Sequence, residues 1–217
     1  MKKVYFVRHG ITEGNEKDAY QLPTMPLSES GRAQANFLAK RFETIPLDII
    51  ISSDMARAAE TAKIVSDGTG HVLVLEPLFH EILRPSVVRG KIRTLPEVLE
   101  VMNIVHTYWS EKEKKHSDEE NFFDLKERAT KALEYIKSRQ EENILVVTHG
   151  HFLRMLLAVM LFEELLNPEL FAAIEKFFYP SNAGITMCEY DNPYHKNKWR
   201  LFTWSDYAHL GDAYVTY

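Results

Sequence analysis

Two histidines in this chain each follow a short apolar run and precede a glycine: Arg8-His9-Gly10 after residues 4–7, and Thr148-His149-Gly150-His151 after residues 144–147. Arg57 opens a helical pattern after the run 49–51, and Glu81 follows the run 72–75 by a short connection. If the runs are buried strands, Arg8, His9, Arg57, Glu81 and His149 gather at their carboxyl ends. That edge is where open α/β sheets bind ligands. The planar fork of arginine matches phosphate oxygens, so two arginines and two histidines on one rim read as an anion site with phosphate as its natural ligand. A helix opening near Phe152 is expected to aim free amides at the same place and to disfavour protonation of His149. Taken singly, each residue has an ordinary explanation as a strand-end or surface side chain. Their convergence on corresponding strand ends is what points to a site.

The elements that must position these residues follow from periodicity. Runs 4–7, 49–51, 72–75 and 144–147 are rich in Val, Ile and Leu, as in parallel strands buried on both faces. Between them apolar residues recur at helical spacing: Ala35, Leu38 and Phe42; Met55, Ala59, Ala62 and Val65; Leu125, Ala129, Leu133 and Ile136. Asp54 is the expected cap of the second helix and Gly68 lies just beyond its expected end. Runs 184–190 and 199–204 predict two further strands, paired antiparallel at one side of the sheet. The alternation implies an α/β sandwich. Residues 82–121 form an excursion containing a helix candidate from Leu95 to Trp109, then a charge run at 110–120 that reads as a solvated turn. The chain is expected to be a single domain, 1–217, with 82–121 as a cap over one end of the sheet.

Composition narrows the function classes. The 217 residues are 45% hydrophobic and 26% charged, as in an ordinary globular chain. Lys and Arg number 26 against 31 Asp and Glu, a net charge of −5, which offers no general attraction for nucleic acid. The single cysteine, Cys188, excludes an internal disulfide and fits a reducing compartment, so the cytoplasm is the expected location. The opening residues are too briefly apolar for a signal peptide, and residues 155–162 fall far short of the ~20 needed to cross a bilayer. His149 and His151 fit no strong metal signature, and His80-Glu81 lacks the second histidine of a zinc helix motif. Neither Gly68-Thr69-Gly70 nor Gly90-Lys91 completes a nucleotide-binding pattern. No metal and no cofactor are expected.

Several segments together resemble the histidine phosphatase superfamily in its phosphoglycerate mutase-like branch, branch 1. They are Arg8-His9-Gly10-Ile11-Thr12-Glu13-Gly14-Asn15, Pro26 through Ala35, Ser52 through Ala62, and Val146-Val147-Thr148-His149-Gly150. The resemblance covers nearly the whole chain. It implies a three-layer α/β sandwich, a mostly parallel central sheet with helices on both faces. It implies His9 as nucleophile, Glu81 as proton donor, and Arg8, Arg57 and His149 as a phosphate clamp, with Asn15 an additional donor. Where many members carry Gly-x-Trp-Glu-Gly after the acid, this chain has Glu81-Ile82-Leu83-Arg84-Pro85-Ser86-Val87-Val88-Arg89-Gly90-Lys91, so the pocket wall differs. Arg84 and His151 are candidates for substrate contact, and Tyr20, Trp109, Phe122 and Phe123 for pocket lining. The stretch 204–210 is a candidate lid or subunit contact.

The implied activity is metal-independent hydrolysis of a small phosphorylated substrate through phosphohistidine. It needs a neutral His9 whose other ring nitrogen donates to a backbone carbonyl, and a Glu81 that is protonated in the substrate complex. The family's mutases carry a longer insertion after the acid and a tryptophan where this chain has Gly14, which favours hydrolysis over a phosphoglycerate-type mutase. A noncatalytic phosphate-binding protein is the other alternative, and it has no use for a proton donor on the leaving side.

Overall fold

In the computed structural model, which describes residues 1–216, six strands hydrogen-bond into one sheet. They are β1 (Lys2–Arg8), β2 (Ile49–Ser52), β3 (Leu73–Leu75), β4 (Asn143–Thr148), β5 (Ile185–Asn192) and β6 (His195–Asp206), in the spatial order β3-β2-β4-β1-β5-β6. The first four are mutually parallel, and β5 runs antiparallel to both β1 and β6. The sheet is thus mostly parallel with an antiparallel hairpin at one side, as the sequence predicts. Strand β3 departs from expectation: it is an edge strand that begins at Leu73, with Val72 and Leu75 exposed.

Among the described residues, seven α-helices surround the sheet: α1 (Glu13–Glu16), α2 (Glu29–Phe42), α3 (Ala56–Thr69), α4 (Pro96–Tyr108), α5 (Phe122–Ser138), α6 (Gly150–Phe162) and α7 (Pro168–Phe177). Alternation along the strands divides the core. Val7, Ile50, Leu145, Val147 and Ile185 face Leu38 and Phe42 of α2 and Ala58, Ala62 and Val65 of α3. Phe6, Ile51, Ile144 and Val146 face the opposite way, onto α5, α6 and α7 through Leu125, Leu133, Leu156 and Phe171. Two helical layers with a sheet between them make the three-layer sandwich. Each fully buried Val, Leu, Ile or Phe contributes about 1.5–3 kcal/mol.

Local boundaries show where sequence signals compete. Asp54 is exposed and does not cap α3; Ser53 Oγ accepts the Met55 N–H instead, at 3.2 Å. Gly68 lies inside α3 rather than beyond it. A Cβ there would sit 3.0 Å from Ala39 Cβ, so the glycine serves close packing of α3 on α2, while Gly70, at φ 76°, ends the helix. The charge run is not wholly solvated: Glu119 is buried and accepts the backbone N–H groups of His116 and Ser117, and Glu120 pairs with Arg128.

Within 82–121, α4 buries Val98, Met102 and Val105 against Val88 in a small apolar cluster separate from the two sheet faces. Backbone bonds tie this excursion to the loop after α1: Tyr20 N–H to Lys91 O at 2.9 Å, Gly90 N–H to Tyr20 O at 2.6 Å, and Arg93 N–H to Asp18 O at 3.0 Å. Among the described residues, the C-terminal stretch packs on the α2/α3 face and does not border the cavity. Leu210 is buried with the α2/α3 face, and Gln34 Nε2 of α2 donates to Tyr214 O at 2.8 Å.

Candidate active site

The parallel register places Arg8 of β1 opposite Thr148 of β4, so His9 and His149 leave the sheet side by side with ring centroids 5.1 Å apart. The turn at Gly10 needs glycine: a Cβ there would lie 2.5 Å from Gly31 O, because the start of α2 packs directly on this loop. Gln34 Oε1, fully buried, accepts the Ile11 N–H at 2.7 Å and fixes the loop further.

His9 Nδ1 lies 2.7 Å from Gly10 O. A carbonyl only accepts, so Nδ1 carries the proton and Nε2 keeps the lone pair. Nε2 accepts from Arg57 Nε at 3.1 Å. Burial, then the charges of Arg57 and Arg8, hold the His9 pKa well below the ordinary histidine value, so the ring is neutral. His149 is also held well below its ordinary value, by burial first and then by Arg57 and His9. Its Nε2 meets Ser53 Oγ at 2.8 Å, while Nδ1 is buried with no partner in the protein. Ser53 Oγ also accepts the Met55 N–H at 3.2 Å, so the serine ties the His149 ring to the turn that opens α3.

Two buried guanidiniums flank this pair. Arg57, in the first turn of α3, also donates from Nη1 to Leu22 O at 3.2 Å. Burial lowers its pKa to about 10, aided by Arg8 and opposed by Glu81, so it stays charged. Arg8 donates from Nη1 to Pro180 O at 2.7 Å, and its Nε has no partner. The turn before β5 grips the first strand end from behind: Ala183 N–H donates to Arg8 O at 2.9 Å and Asn182 Nδ2 to His9 O at 2.9 Å. Ala183 holds a left-handed φ of 56° to do so, a strained conformation for a non-glycine residue.

Glu81 overturns one expectation about α6. The helix opens at Gly150, and its free amides are taken by a side chain of the protein. Glu81 Oε2 accepts from His151 N–H at 3.2 Å, and Oε1 from Phe152 N–H at 3.0 Å and Ile82 N–H at 2.9 Å. Burial raises the Glu81 pKa, but His151, these N–H groups and Arg57 together outweigh it, and the net shift is downward. The carboxyl is therefore ionised in the free protein.

Arg8, His9, Asn15, Arg57, Glu81, Arg84 and His151 all border one cavity of about 220 Å³. His149 does not border it and lies fully buried beside His9. Asn15 Oδ1 completes the capping box of α1 by accepting the Thr12 N–H at 3.2 Å, which leaves its Nδ2 donors uncommitted. His151 Nδ1 pairs with Glu175 at 2.8 Å. Tyr20 borders the cavity as expected, but Trp109, Phe122 and Phe123 do not; Trp109 and Phe122 pack on each other and on Phe171. Sequence reading missed Gln21, Arg89, Arg93, Arg154 and Tyr179 on the wall. Arg89 and Arg93 stand in or just past the loop after Glu81 that departs from the family pattern, whereas no sequence signal marks Gln21, Arg154 or Tyr179. Among the described residues no three His, Cys, Asp or Glu side chains converge as a metal site, and no helix is long and apolar enough to cross a membrane.

A strand-end histidine, a carboxylate and buried guanidiniums around one cavity of an α/β sandwich, with a second strand-end histidine buried behind the first, are the makings of a phosphoryl-transfer site. Residues 4–206 match the pattern of the histidine phosphatase superfamily (branch 1). The chain belongs to that family. It is 32% identical over 192 residues to a protein of Hydrogenobacter thermophilus named as a candidate phosphoserine phosphatase, covering 86% of this chain and 88% of that one. It is 28% identical over 213 residues to an Enterobacter protein named as a candidate phosphoglycerate mutase, with 97% and 95% coverage. Among solved structures, Bacillus stearothermophilus YhfR superposes with a TM-score of 0.79 at 27% identity, covering 97% of this chain and all of that one.

Proposed function

We propose that the protein hydrolyses a small phosphomonoester in two steps through a phosphate on His9 Nε2, with the 82–121 excursion capping the cavity. The observation that carries this reading is the His9 ring: Nδ1 is committed to Gly10 O, so the neutral ring presents only Nε2, beside Arg57 and in the cavity that Arg8 also borders.

In the first step the Nε2 lone pair forms a bond to phosphorus as the bond to the leaving oxygen breaks. Arg57 Nε–H must then exchange its bond to Nε2 for one to a phosphoryl oxygen, which frees the lone pair as the substrate arrives. Arg8, with its uncommitted Nε, and Asn15 Nδ2 complete the donors at the cavity wall, and the neutral His149 ring backs His9 as the buried member of the clamp. A single well-aimed donor is worth about 3–4 kcal/mol, against barrier reductions above about 20 kcal/mol for such esters, so several must act together. Glu81 is ionised in the free protein, so the proton for the leaving oxygen enters with the substrate monoanion, whose second pKa is about 6. Glu81 passes it on, and in the second step takes one from water as the water oxygen displaces phosphate from Nε2.

Hydrolysis is favoured over internal transfer by the packing at position 14. There the side chains of Met25 and Gln21, with Sδ and Cγ 2.6 and 2.8 Å from where a Cβ would stand, fill the space that the mutases give to tryptophan. The buried Cys188 fits a reducing, cytoplasmic setting. The test is His9→Ala, with circular dichroism as the folding control. Its turnover of an aryl phosphate should fall at least about 10³-fold, as when a nucleophile is removed, and turnover within tenfold of the parent refutes the reading.

A further inference from the structure

The loop that departs from the family pattern supplies charge that a single phosphoryl group does not use. Six arginines border the cavity against one carboxylate, Glu81. Arg8 and Arg57 flank His9. Arg89 is committed to the wall: its Nε donates to Arg84 O at 2.7 Å and its Nη2 pairs with Asp118 at 2.9 Å. Arg154, within the electrostatic reach of Arg8, donates to Glu175 O at 3.1 Å.

Arg84 stands apart. Its half-buried guanidinium borders the cavity and donates no hydrogen bond among the described residues. It lies 6.0 Å from the Tyr20 ring centroid, and Arg93 lies 4.9 Å from the same centroid. Two like charges beside one ring repel each other, and the nearest carboxylate to Arg93 is Asp18, an exposed partner at 3.5 Å. This arrangement is held in place. Ser86 N–H donates to Asp118 at 2.8 Å, Leu83 N–H to Glu120 at 2.9 Å, and the Tyr20 backbone is bonded to Gly90 and Lys91. Glu81 and Glu175 act on the Arg84 charge from a distance, but neither pairs with it, and a rigid wall that presents a guanidinium with no hydrogen-bonded partner among the described residues is preorganised for an anion.

We propose that Arg84, assisted by Arg93 beside the Tyr20 ring, holds a second anionic group of the substrate. The substrate is therefore a small phosphomonoester that also carries a carboxylate or a second phosphate. This rests on the hydrolytic reading above. The cavity, about 220 Å³, is smaller than the usual range of roughly 300–1,000 Å³ for ligand pockets, which suits a compact metabolite rather than a large one.

The test compares kcat/KM within matched pairs: 3-phosphoglycerate against glycerol 3-phosphate, and propane-1,3-diol bisphosphate against propyl phosphate, with an aryl phosphate as reference. The parent should prefer the doubly anionic member of at least one pair by tenfold or more, and the pair that shows it identifies carboxylate or phosphate. Arg84→Gln should shrink that preference about ten- to a hundredfold, as expected for loss of one hydrogen bond to a charged group, and Arg84→Lys should restore part of it. Turnover of all substrates without preference, or a preference unchanged in Arg84→Gln, overturns this inference and leaves hydrolysis standing. No turnover of any substrate, the aryl phosphate included, overturns both.

Discussion

Replacing Glu81 by glutamine separates proton transfer from structural support, because the geometry sets both effects. The amide oxygen can keep the Ile82 and Phe152 N–H groups that now point at Oε1, at 2.9 and 3.0 Å. The new NH₂ then confronts the His151 N–H that Oε2 accepts at 3.2 Å, donor against donor. One buried N–H is left unsatisfied, at a cost of about 1–3 kcal/mol in stability. Loss of the negative charge at the α6 N-terminus adds about 0.3–1 kcal/mol. The effect on rate depends on the leaving group. A general acid contributes about 10²–10⁴-fold when an alkoxide departs, and far less when a nitrophenolate leaves, which needs no proton. For Glu81→Gln, kcat/KM on an alkyl phosphate should fall by that factor while kcat/KM on nitrophenyl phosphate falls less than about tenfold. Because kcat/KM reports events only through phosphorylation, the loss of the base for the second step appears separately in kcat. Denaturant unfolding supplies the stability arm. Equal losses of kcat/KM on the two substrates would show that Glu81 acts only by shaping the site.

Other perturbations probe the neighbouring groups. Arg57→Lys keeps a charge but loses the fork that reaches His9 Nε2 and Leu22 O together; kcat/KM should drop about 10²–10³-fold, and a loss under tenfold would remove Arg57 from the clamp. The pKa values of His9 and His149 are depressed in the folded chain, so between the unfolded value of 6.5 and the folded values the unfolded state binds more protons. Stability should accordingly fall as pH drops below about 6.5, by up to about 1.4 kcal/mol per pH unit for each ring, and urea midpoints that stay flat down to pH 5 would contradict the neutral assignment. Arg128 holds Glu120 through Nε and Nη2 at 2.7 and 2.8 Å and donates to Leu78 O and His80 O from Nη1. Arg128→Met leaves the partly buried Glu120 carboxylate with only the Leu83 N–H and should cost about 2–4 kcal/mol in an equilibrium unfolding experiment, whereas a change below about 1 kcal/mol would mean that Glu120 finds water. In the pH profile of kcat/KM, the alkaline fall should track the second pKa of the substrate, near 6 for alkyl esters, and a fall that stays put when an ester of lower pKa is used would place the proton on the protein.

The sheet was legible because its signal is local. Short Val- and Ile-rich runs alternate with helical spacing, and the segments that leave the carboxyl end of each run form the rim, so the sequence alone places His9, His149, Arg57 and Glu81 there. What escaped notice depends on distant partners. The turn around Pro180, Asn182 and Ala183 grips Arg8 and His9 across more than 170 positions, and nothing in its sequence announces that contact. The N-terminus of α6 was legible as an anion site, but which anion occupies it was not, since Glu81 arrives from β3 by a connection whose path the periodicity does not define. Asp54 and Gly68 misled for a related reason. Each has the residue type of a helix cap, yet Ser53 and the close approach of α2 decide the local geometry. Arg84 was visible as a candidate, but its company, Tyr20 and Arg93, appears only once the backbone bonds between Tyr20 and residues 90 and 91 bring the two loops together.

The most direct test is phosphorus NMR of the protein quenched under alkaline conditions during turnover of an aryl phosphate, since phosphate on the two imidazole nitrogens gives distinct signals. Because Nδ1 of His9 is bonded to Gly10 O, phosphate should be found on His9 Nε2 and be absent from His9→Ala. Phosphate on Nδ1, on another side chain, or on no side chain while hydrolysis proceeds would contradict the account.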